Sequence, residues 1–429
     1  MRHQASGLAQ IRSRSPSRLS SESIQSRPPA HSSHSARITS SSAVDTPRAS
    51  LNCVEAFARY IQSVPAKEAT PFSLELDRRV EEGALGTLYE KLPDDQARCY
   101  ACAHRCLIKD GLRGICKVRY NRGGTLMVPR GYVGALQCDP IEKKPFFHAF
   151  PGTDALTFGM LGCDLHCSYC QNWVTSQALR DPGALADPMD VTPPQLVDIA
   201  QRQGASVVAT SYNEPLITSE WAVEVFKEAR PRGFTTAYIS NGNATREVLE
   251  YIRPWTDLYK IDLKSFRDKN YRSLGGKLEN IVNGIQMVHA MGFWLEIVTL
   301  IIPGFNDSDE ELGDIARFLS GLSPSIPWHV TAFHKEYKMQ DPDNTTAETL
   351  LRAARIGEAV GLQYIYAGNL PGRVGRYEDT RCPRCQATLI RRIGYRILED
   401  RLTGRGSCFN CQQPIPGVWR TTINAGRAN

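Results

Sequence analysis

Three closely spaced cysteines are the residues of this 429-residue chain whose types and spacing most clearly indicate chemistry. Cys163, Cys167 and Cys170 follow a Cys-x-x-x-Cys-x-x-Cys pattern, which lets one short loop direct three thiolates at a single cubane iron–sulfur cluster. No fourth cysteine follows directly, so one iron would lack a protein ligand, and a substrate or cofactor can bind at such an open position. The alternative is a zinc knuckle or redox pair that carries a third cysteine. The spacing favours a catalytic cluster.

Two further groups of cysteines predict additional metal sites. The N-terminal group has four cysteines within eighteen residues, enough for one tetrahedral zinc site or for a second iron–sulfur cluster. Its members are Cys99, Cys102, Cys106 and Cys116. The C-terminal group has two Cys-x-x-Cys pairs, which indicate zinc in a zinc-ribbon or rubredoxin-like module. Its members are Cys382, Cys385, Cys408 and Cys411. Cys53 and Cys138 stand alone.

Strands and helices must position these residues. From Leu156 to Pro371, short β-branched runs alternate with amphipathic helical patterns. This alternation predicts an α/β fold with a parallel, barrel-type sheet and helical crossovers. Six strands are predicted over 156–161, 206–212, 235–240, 257–263, 294–302 and 329–333, with a possible seventh over 364–367. The cysteine-rich modules lie before and after this barrel.

Unusual polar residues follow the carboxyl ends of the predicted strands. The cysteine loop follows the first strand, and the later strands are followed by Glu214, by Ser240 and Asn241, by Asp262 and Lys264, and by His334. A barrel gathers the carboxyl ends of its strands on one face, where such folds place their active sites. A surface ion pair or a buried histidine could account for any one of these residues, but their joint order favours an active site.

Composition predicts a soluble, cytoplasmic protein. Hydrophobic residues make up 41% of the chain, and no apolar run approaches the roughly 18 residues that a membrane span needs. Residues 1–50 carry seven arginines but only Glu22 and Asp45, so this segment accounts for +5 of the net charge of +6. The rest is close to neutral and offers no case for a nucleic-acid partner. Clustered cysteines without a secretion signal favour metal ligation in a reducing compartment.

The cysteine pattern, with Tyr169 directly before the last cysteine, resembles the signature of the radical S-adenosylmethionine (SAM) superfamily. On this resemblance, the sheet is expected to close only partway, as a (β/α)6 barrel of the TIM type. The resemblance implies a [4Fe-4S] cluster on the catalytic Cys163, Cys167 and Cys170, with S-adenosyl-L-methionine at the open iron. It also implies an electron donor such as a ferredoxin or flavodoxin, because one electron breaks the sulfonium bond. The resulting 5′-deoxyadenosyl radical abstracts hydrogen from the substrate.

The same resemblance implies cofactor-binding roles for residues beyond the cysteines. Glu214 stands where the superfamily binds the SAM amino group, with Asn213 replacing the more usual glycine. Ser240 and Asn241 are expected near the ribose or the methionine carboxylate. Three further positions match SAM contacts in the activating enzymes of glycyl-radical enzymes, namely Asp262, Lys264 and His334, and Tyr169 completes the set.

Residues 99 to 420 are similar to the radical SAM component of the AmmeMemoRadiSam system, which is related to pyruvate formate-lyase activating enzymes. The residues that carry this similarity include the N-terminal cysteine group, Asp139 to Lys144, Gln171-Asn172-Trp173, Tyr212 to Pro215 and the C-terminal pairs. The similarity implies Memo-like and AMMECR-like partner proteins. The charged segment Asp139 to His148 is our candidate for substrate contact.

Three functions fit the sequence. The first is a radical enzyme acting on a small or partner-bound substrate that the sequence does not identify. The second is an activase that installs a glycyl radical on a large protein, and the third is a non-enzymatic multi-zinc interaction module. The predicted organisation is a disordered Ser/Arg-rich tail (1–50, a targeting segment or a start-site artefact), a helical linker region (51–98), a cysteine-rich module (99–150), a radical SAM partial barrel (151–375), a zinc-ribbon module (376–420) and a tail (421–429).

Overall fold

The computed structural model describes residues 72–404 and 406–419. The tails predicted at 1–50 and 421–429, together with Cys53, lie outside the described residues. Among the helices that the structure describes, none is both long and apolar enough to cross a membrane.

The described chain begins with a module of short antiparallel strands. Helix α1 (Phe72–Glu81) precedes β1 (Ala84–Leu85), β2 (Tyr89–Leu92), β3 (Gln96–Cys99), β4 (Leu107–Ile108), β5 (Tyr120–Arg122), β6 (Thr125–Val128) and β7 (Tyr132–Val133). These strands form one sheet in the order β1-β6-β5 and another in the order β2-β3-β4. The cysteines of the N-terminal group lie in and around the second of these sheets.

The prediction of a helical linker over 51–98 is wrong for much of the part of this range that the structure describes. Only Phe72–Glu81 is helical there, and β1, β2 and most of β3 occupy the rest of the range. The hairpin between β2 and β3 forms because Asp94 and Asp95 adopt positive φ angles of 57° and 51°. Two successive residues of this conformation make a type I′ turn, whose twist suits a β-hairpin. The turn residues outweigh the helical pattern.

The barrel is built on an eight-stranded sheet. Its strands are β8 (Ala135–Pro140), β9 (Asp154–Gly159), β11 (Val207–Thr210), β12 (Thr235–Ser240), β13 (Leu258–Asp262), β14 (Trp294–Ile301), β15 (Trp328–Ala332) and β16 (Ile365–Gly368), and the short β10 (Met189–Asp190) pairs with β7 outside this sheet. The order is β16-β15-β14-β13-β12-β11-β9-β8. Seven of these strands run parallel, and β8 pairs antiparallel with β9 at one edge.

Helices connect the parallel strands as the sequence predicts. They are α2 (Trp173–Ser176), α3 (Pro193–Arg202), α4 (Ser219–Ala229), α5 (Arg246–Ile252), α6 (Asp268–Ser273), α7 (Leu278–Ala290), α8 (Asp309–Leu322) and α9 (Ala347–Ala359). Local signals set their starts: the hydroxyls of Thr245, Ser308 and Thr346 each accept a hydrogen bond from a backbone N–H of the first turn. The predicted partial (β/α)6 barrel is confirmed, and β16 is the possible seventh strand.

Alternate residues of the parallel strands face opposite sides of the sheet. Apolar residues such as Tyr259 and Ile297 pack in the core that the helices cover. Lys260, Asp262 and His329, which lie at alternate positions of β13 and β15, face a cavity inside the barrel instead. The period-two pattern of the strands therefore carries polar side chains into an otherwise apolar interior.

The C-terminal module is a three-stranded antiparallel sheet in the order β17-β18-β19. Its strands are β17 (Thr380–Arg381), β18 (Thr388–Ile393) and β19 (Arg396–Asp400). Arg392 of β18 is almost fully buried, and its guanidinium donates to Thr380 Oγ1 (2.7 Å) and to the backbone oxygen of Phe147 (3.0 Å). This arginine therefore joins the module to the connection between β8 and β9.

Candidate active site

The cysteine loop leaves the carboxyl end of β9 and borders a cavity of about 370 Å³ inside the barrel. Gly162 turns the chain at a φ of 87°, a backbone conformation that is cheap only for glycine. Cys163, Cys167 and Cys170 all line the cavity, Cys167 buried and the other two partly buried. The loop thus presents the three predicted ligands to one space.

These three thiols fit an iron–sulfur cluster with an open position. Burial raises the pKa of the Cys167 thiol to about 12, and burial together with the charge of Asp164 raises the pKa of Cys163 well above its usual range. Free thiols here would keep their protons at neutral pH, and metal binding would displace those protons. Among the described residues, no fourth cysteine lines this cavity. The donor set therefore leaves room for a further ligand on the metal.

Glu214 presents a buried carboxylate to the same cavity. Its Oε1 accepts hydrogen bonds from the backbone N–H of Leu216 (3.1 Å) and from Ser240 Oγ (2.7 Å), and its Oε2 accepts from the N–H of Asn241 (2.7 Å). Burial and the nearby charge of Asp164 raise the pKa of Glu214 to about 8. Glu214 forms no salt bridge with any residue in the described part of the chain. A cationic ammonium in the cavity would complete its surroundings, which is the requirement of the SAM amino group.

Ser240 and Asn241 line the cavity, but protein contacts already occupy their side chains. Ser240 Oγ donates to Glu214 and accepts from the N–H of Gly242 (3.0 Å). Asn241 Nδ2 donates to Asp164 Oδ1 (2.7 Å), and its Oδ1 accepts from the N–H of Asn243 (2.9 Å). These two side chains therefore orient Glu214 and the cysteine loop.

Asp262 and Lys264 form a charged group in the wall of the same cavity, together with Lys260. Asp262 accepts from Lys260 Nζ and lies 3.4 Å from Lys264 Nζ. Burial alone would lower the pKa of Lys264, but the charge of Asp262 holds it well above its usual value. Tyr169 is buried beside them and also lines the cavity. The pair is thus part of the cavity wall and not an exposed ion pair.

His334 is the one predicted cofactor-binding residue that does not line this cavity. It is exposed and borders a neighbouring cavity, which shares residues such as Gln171 and Asn369 with the first. The turn after β15 carries the imidazole away from the other predicted residues. The structure therefore separates His334 from the group that it was predicted to join.

Several lining residues were absent from the predicted catalytic and cofactor-binding residues, although Lys144 belongs to the segment predicted for substrate contact. Lys144 is 5% exposed, and its Nζ lies 2.8 Å from Tyr212 Oη and 3.2 Å from Asp139 Oδ2. Burial lowers the pKa of Lys144 to about 8, although Asp139 opposes this effect. His329 Nε2 lies 2.7 Å from Glu296 Oε2. A signal for His329 existed, because the rest of β15 is apolar apart from Thr331, whereas Lys260 shares β13 with Asp262.

The segment that was our candidate for substrate contact does reach the cavity. Glu142, Lys143, Lys144, Pro145 and Phe147 all line it. They lie across the barrel from the cysteine loop, in the connection between β8 and β9. The segment therefore forms the far end of the cavity.

The C-terminal cysteines form a compact cluster. The Sγ atoms of Cys382, Cys385, Cys408 and Cys411 lie within 4.8 Å of one another. Cys382 Sγ and Cys411 Sγ are 3.5 Å apart, and Cys385 Sγ and Cys408 Sγ are 3.6 Å apart. Zn–S bonds of about 2.3 Å in a tetrahedron separate the sulfurs by about 3.8 Å, so this group could hold one metal ion of that size.

Comparisons with known proteins agree with this arrangement. Residues 158–319 match the Radical SAM superfamily. The chain is 36% identical to the uncharacterized protein MJ0808 of Methanocaldococcus jannaschii over 306 residues, which cover 71% of this chain and 90% of that protein. It is 24% identical to the pyruvate formate-lyase-activating enzyme of Clostridium pasteurianum, over 44% of this chain and 84% of that enzyme.

A solved domain of a pyruvate-formate lyase-activating enzyme from Bacteroides vulgatus is 20% identical and covers 38% of this chain and 100% of that domain, with a TM-score of 0.34. The match at residues 158–319 begins on β9 and includes the cysteine loop, Glu214, Asp262 and their strands. The similarity to MJ0808 extends over most of that protein as well. This chain belongs to the radical SAM superfamily.

Proposed function

We propose that this protein is a radical SAM enzyme that cleaves S-adenosylmethionine reductively and abstracts hydrogen from a small, anionic substrate. The observation that supports this most directly is the single cavity that joins two chemically different ends. The three cysteines and Glu214 follow the carboxyl ends of β9 and β11, whereas Lys260 and His329 lie inside β13 and β15 and Lys144 lies in the connection that precedes β9, and all of them line the cavity.

The cysteine end suits the cofactors that the superfamily implies. Cys163, Cys167 and Cys170 would hold a [4Fe-4S] cluster, and Glu214 would accept hydrogen bonds from the SAM amino group. When bound, these cofactors supply a 5′-deoxyadenosyl radical, which removes a hydrogen atom from a substrate. The protein orients the ligand through Glu214 and shields the space from water by the buried barrel wall.

The far end suits a substrate that carries a carboxylate or phosphate. Lys144 and Lys260 bring two ammonium groups into a buried space, and Tyr212 and Tyr395 add hydroxyl groups to the same lining. Asp139 and Asp262 already partner these lysines, so the substrate oxyanion would share them as a second acceptor. Hydrogen bonds between ionised groups in such a space are stronger than neutral ones.

A second candidate function is the activation of a glycyl-radical enzyme. It is favoured by the similarity to the Clostridium pasteurianum activating enzyme, which spans most of that enzyme. The cavity would then admit a glycyl loop of a large protein instead of a small acid. Incubation with small carboxylates or with a glycyl-radical enzyme separates the two, since only the true substrate increases the yield of 5′-deoxyadenosine. Memo-like and AMMECR-like proteins and a ferredoxin or flavodoxin donor remain the partners that we propose.

The first test is anaerobic cleavage of SAM. The reconstituted protein receives dithionite and SAM, and 5′-deoxyadenosine is quantified against a variant with Cys163→Ala, Cys167→Ala and Cys170→Ala. Cys138→Ala is the matched control, because this cysteine lies on β8 outside the three groups. We expect product from the parent and the control but none from the triple variant. A multi-zinc interaction module would form no product with any of them.

A further inference from the structure

The N-terminal cysteine group lies directly against the cysteine loop of the barrel. A Cβ on Gly162 would come within 2.8 Å of the backbone oxygen of Cys116 and 2.7 Å of Val118 Cγ1. Gly162 is the residue before Cys163, so only glycine allows the two cysteine-bearing segments to approach this closely. Cys116 of the N-terminal group is thus in close contact with the residue that precedes Cys163 of the cysteine loop.

Two further contacts join the same two segments. His104, between Cys102 and Cys106 in the sequence, places its Nε2 3.1 Å from the backbone oxygen of Asp164. Arg180 bridges the groups, since it donates to the backbone oxygen of Leu165 (3.1 Å) and to that of Ile115 (2.5 Å). Ile115 and Leu165 each lie within two residues of a cysteine of their group. The contact is therefore an extended, specific interface.

The N-terminal cysteines are also well shielded from solvent. Cys99, Cys102 and Cys116 are each 5% or 6% exposed, and Cys106 is partly buried beside Gly114. Ala103, inside the group, donates its backbone N–H to the oxygen of Asn243 (2.9 Å), which fixes the knuckle against the barrel. A cofactor held here would be enclosed between the module and the radical site.

The spacing of the thiols favours a cluster over a single metal ion. Among the described residues, Cys382, Cys385, Cys408 and Cys411 form a group whose ligand atoms all lie within 4.8 Å of one another, and neither the N-terminal cysteines nor Cys163, Cys167 and Cys170 form such a group. One Zn²⁺ needs its four sulfurs about 3.8 Å apart. A cubane cluster holds its cysteine sulfurs farther apart, because each thiolate binds a different iron.

We propose that Cys99, Cys102, Cys106 and Cys116 hold a second [4Fe-4S] cluster that relays electrons to the cysteine loop at Cys163. A cluster held by these four cysteines would accept one electron from a reduced ferredoxin or flavodoxin and pass it on to a cluster held by Cys163, Cys167 and Cys170, so it would return to its oxidised state after each transfer. The relay rests on the proposed function, whereas the presence of the second cluster does not.

The first experiment measures metals and needs no substrate. The variant with Cys163→Ala, Cys167→Ala and Cys170→Ala is purified and reconstituted anaerobically, and its iron, sulfide and zinc are counted. We expect about four iron and four sulfide per chain and, after reduction, the electron paramagnetic resonance signal of a [4Fe-4S] cluster. Adding Cys382→Ser and Cys385→Ser is the control for iron in the C-terminal group, and it must leave this signal unchanged. Zinc at the N-terminal group, with no iron, would overturn the proposal.

The second experiment tests the relay in the intact protein. SAM cleavage by Cys102→Ser and by the parent is driven either by reduced flavodoxin or by dithionite, which is small enough to reach the cavity itself. We expect the ratio of the flavodoxin-driven rate to the dithionite-driven rate to fall about tenfold or more in the variant. An unchanged ratio would overturn the relay. The presence of the second cluster would then be judged from the metal count of the first experiment alone. Absence of cleavage by the parent with either reductant would instead contradict the proposed function.

Discussion

Glu214→Gln offers the sharpest test of how the cavity binds the SAM amino group. The substitution keeps the shape of the side chain and the acceptor oxygen for Leu216 and Ser240, but it removes the negative charge and the Oε2 acceptor of the Asn241 N–H. Burial and the charge of Asp164 raise the pKa of Glu214 to about 8 in the free protein. The charge that the ligand needs is therefore present in full only above neutral pH.

The expected magnitude follows from this titration. With a pKa of about 8, roughly one Glu214 in a hundred is ionised at pH 6 and about half are ionised at pH 8. A hydrogen bond to a charged group contributes about 1.5 to 3 kcal/mol, which corresponds to a factor of about 10 to 100 in affinity. The variant should therefore bind SAM about 10 to 100 times more weakly than the parent at pH 8.5, and almost as well at pH 6.

The assay is anaerobic calorimetric titration of both reconstituted proteins with SAM from pH 6 to pH 8.5. The amino group of SAM titrates identically with both proteins, so the ratio of the two dissociation constants isolates the carboxyl group. Glu279→Gln on the exposed face of α7 is the matched control and should bind like the parent at every pH. A ratio that stays constant across this range would refute the assignment of Glu214.

The same raised pKa has a consequence for folding stability, and three further experiments test other parts of the structure. Because the pKa of Glu214 is raised in the folded state, the protonated carboxyl stabilises the fold fully below the ordinary pKa of 4.5, and this stability is lost as the pH rises through about 8. Between these pH values and without SAM, urea unfolding should show a larger loss of unfolding free energy for the parent than for Glu214→Gln. Arg119→Met leaves Glu220 buried without its 2.7 Å ion pair and should cost about 3 to 5 kcal/mol of unfolding free energy, much of which Glu220→Leu in the same chain should restore. Cys408→Ala should lower the thermal unfolding midpoint and release metal from the C-terminal module, because this buried thiol is one of four converging there, yet leave SAM cleavage measurable at lower temperature. Burial lowers the pKa of Lys144 to about 8, so acylation of this amine should reach half its maximum rate near pH 8, well below the pH at which an exposed lysine does so. Peptide mass spectrometry follows the acylation.

Much of the barrel is predictable from sequence because its strands and helices obey simple periodicities. The strand β12 (Thr235–Ser240) agrees with its predicted bounds residue for residue, and β14 (Trp294–Ile301) and β15 (Trp328–Ala332) are within one residue of theirs at each end. Each combines a clear periodic pattern with a clear end. By contrast, β8 pairs at the edge of the sheet, its buried and exposed residues do not alternate regularly, and it ends at Pro140. No local sequence pattern therefore predicts it.

The candidate site was predictable where a residue follows a strand and less so where it lies within one. Glu214 and Asp262 come at strand ends, and both line the cavity. Lys260 and His329 lie inside strands, and their contribution depends on which side of the sheet faces inward. Lys144 depends on a connection that folds back over the barrel, and His334 on the direction of one turn. Such positions are set by tertiary packing, which no single segment encodes.

Asp164 explains why the sequence motifs at two strand ends work as one unit. Its fully buried carboxylate accepts from Asn241 Nδ2 and Asn243 Nδ2, each at 2.7 Å, while Asn243 also accepts from the backbone N–H of Ala103 in the N-terminal module. A buried carboxylate held by two amides is costly to move, because any shift leaves a charge unpaired in the interior. Asp164 directly follows Cys163, and its charge raises the pKa of Glu214. One side chain thus sets the position of the cysteine loop, the protonation of the proposed SAM ligand and the attachment of the second cysteine group, so these three properties should change together when Asp164 is replaced by Asn.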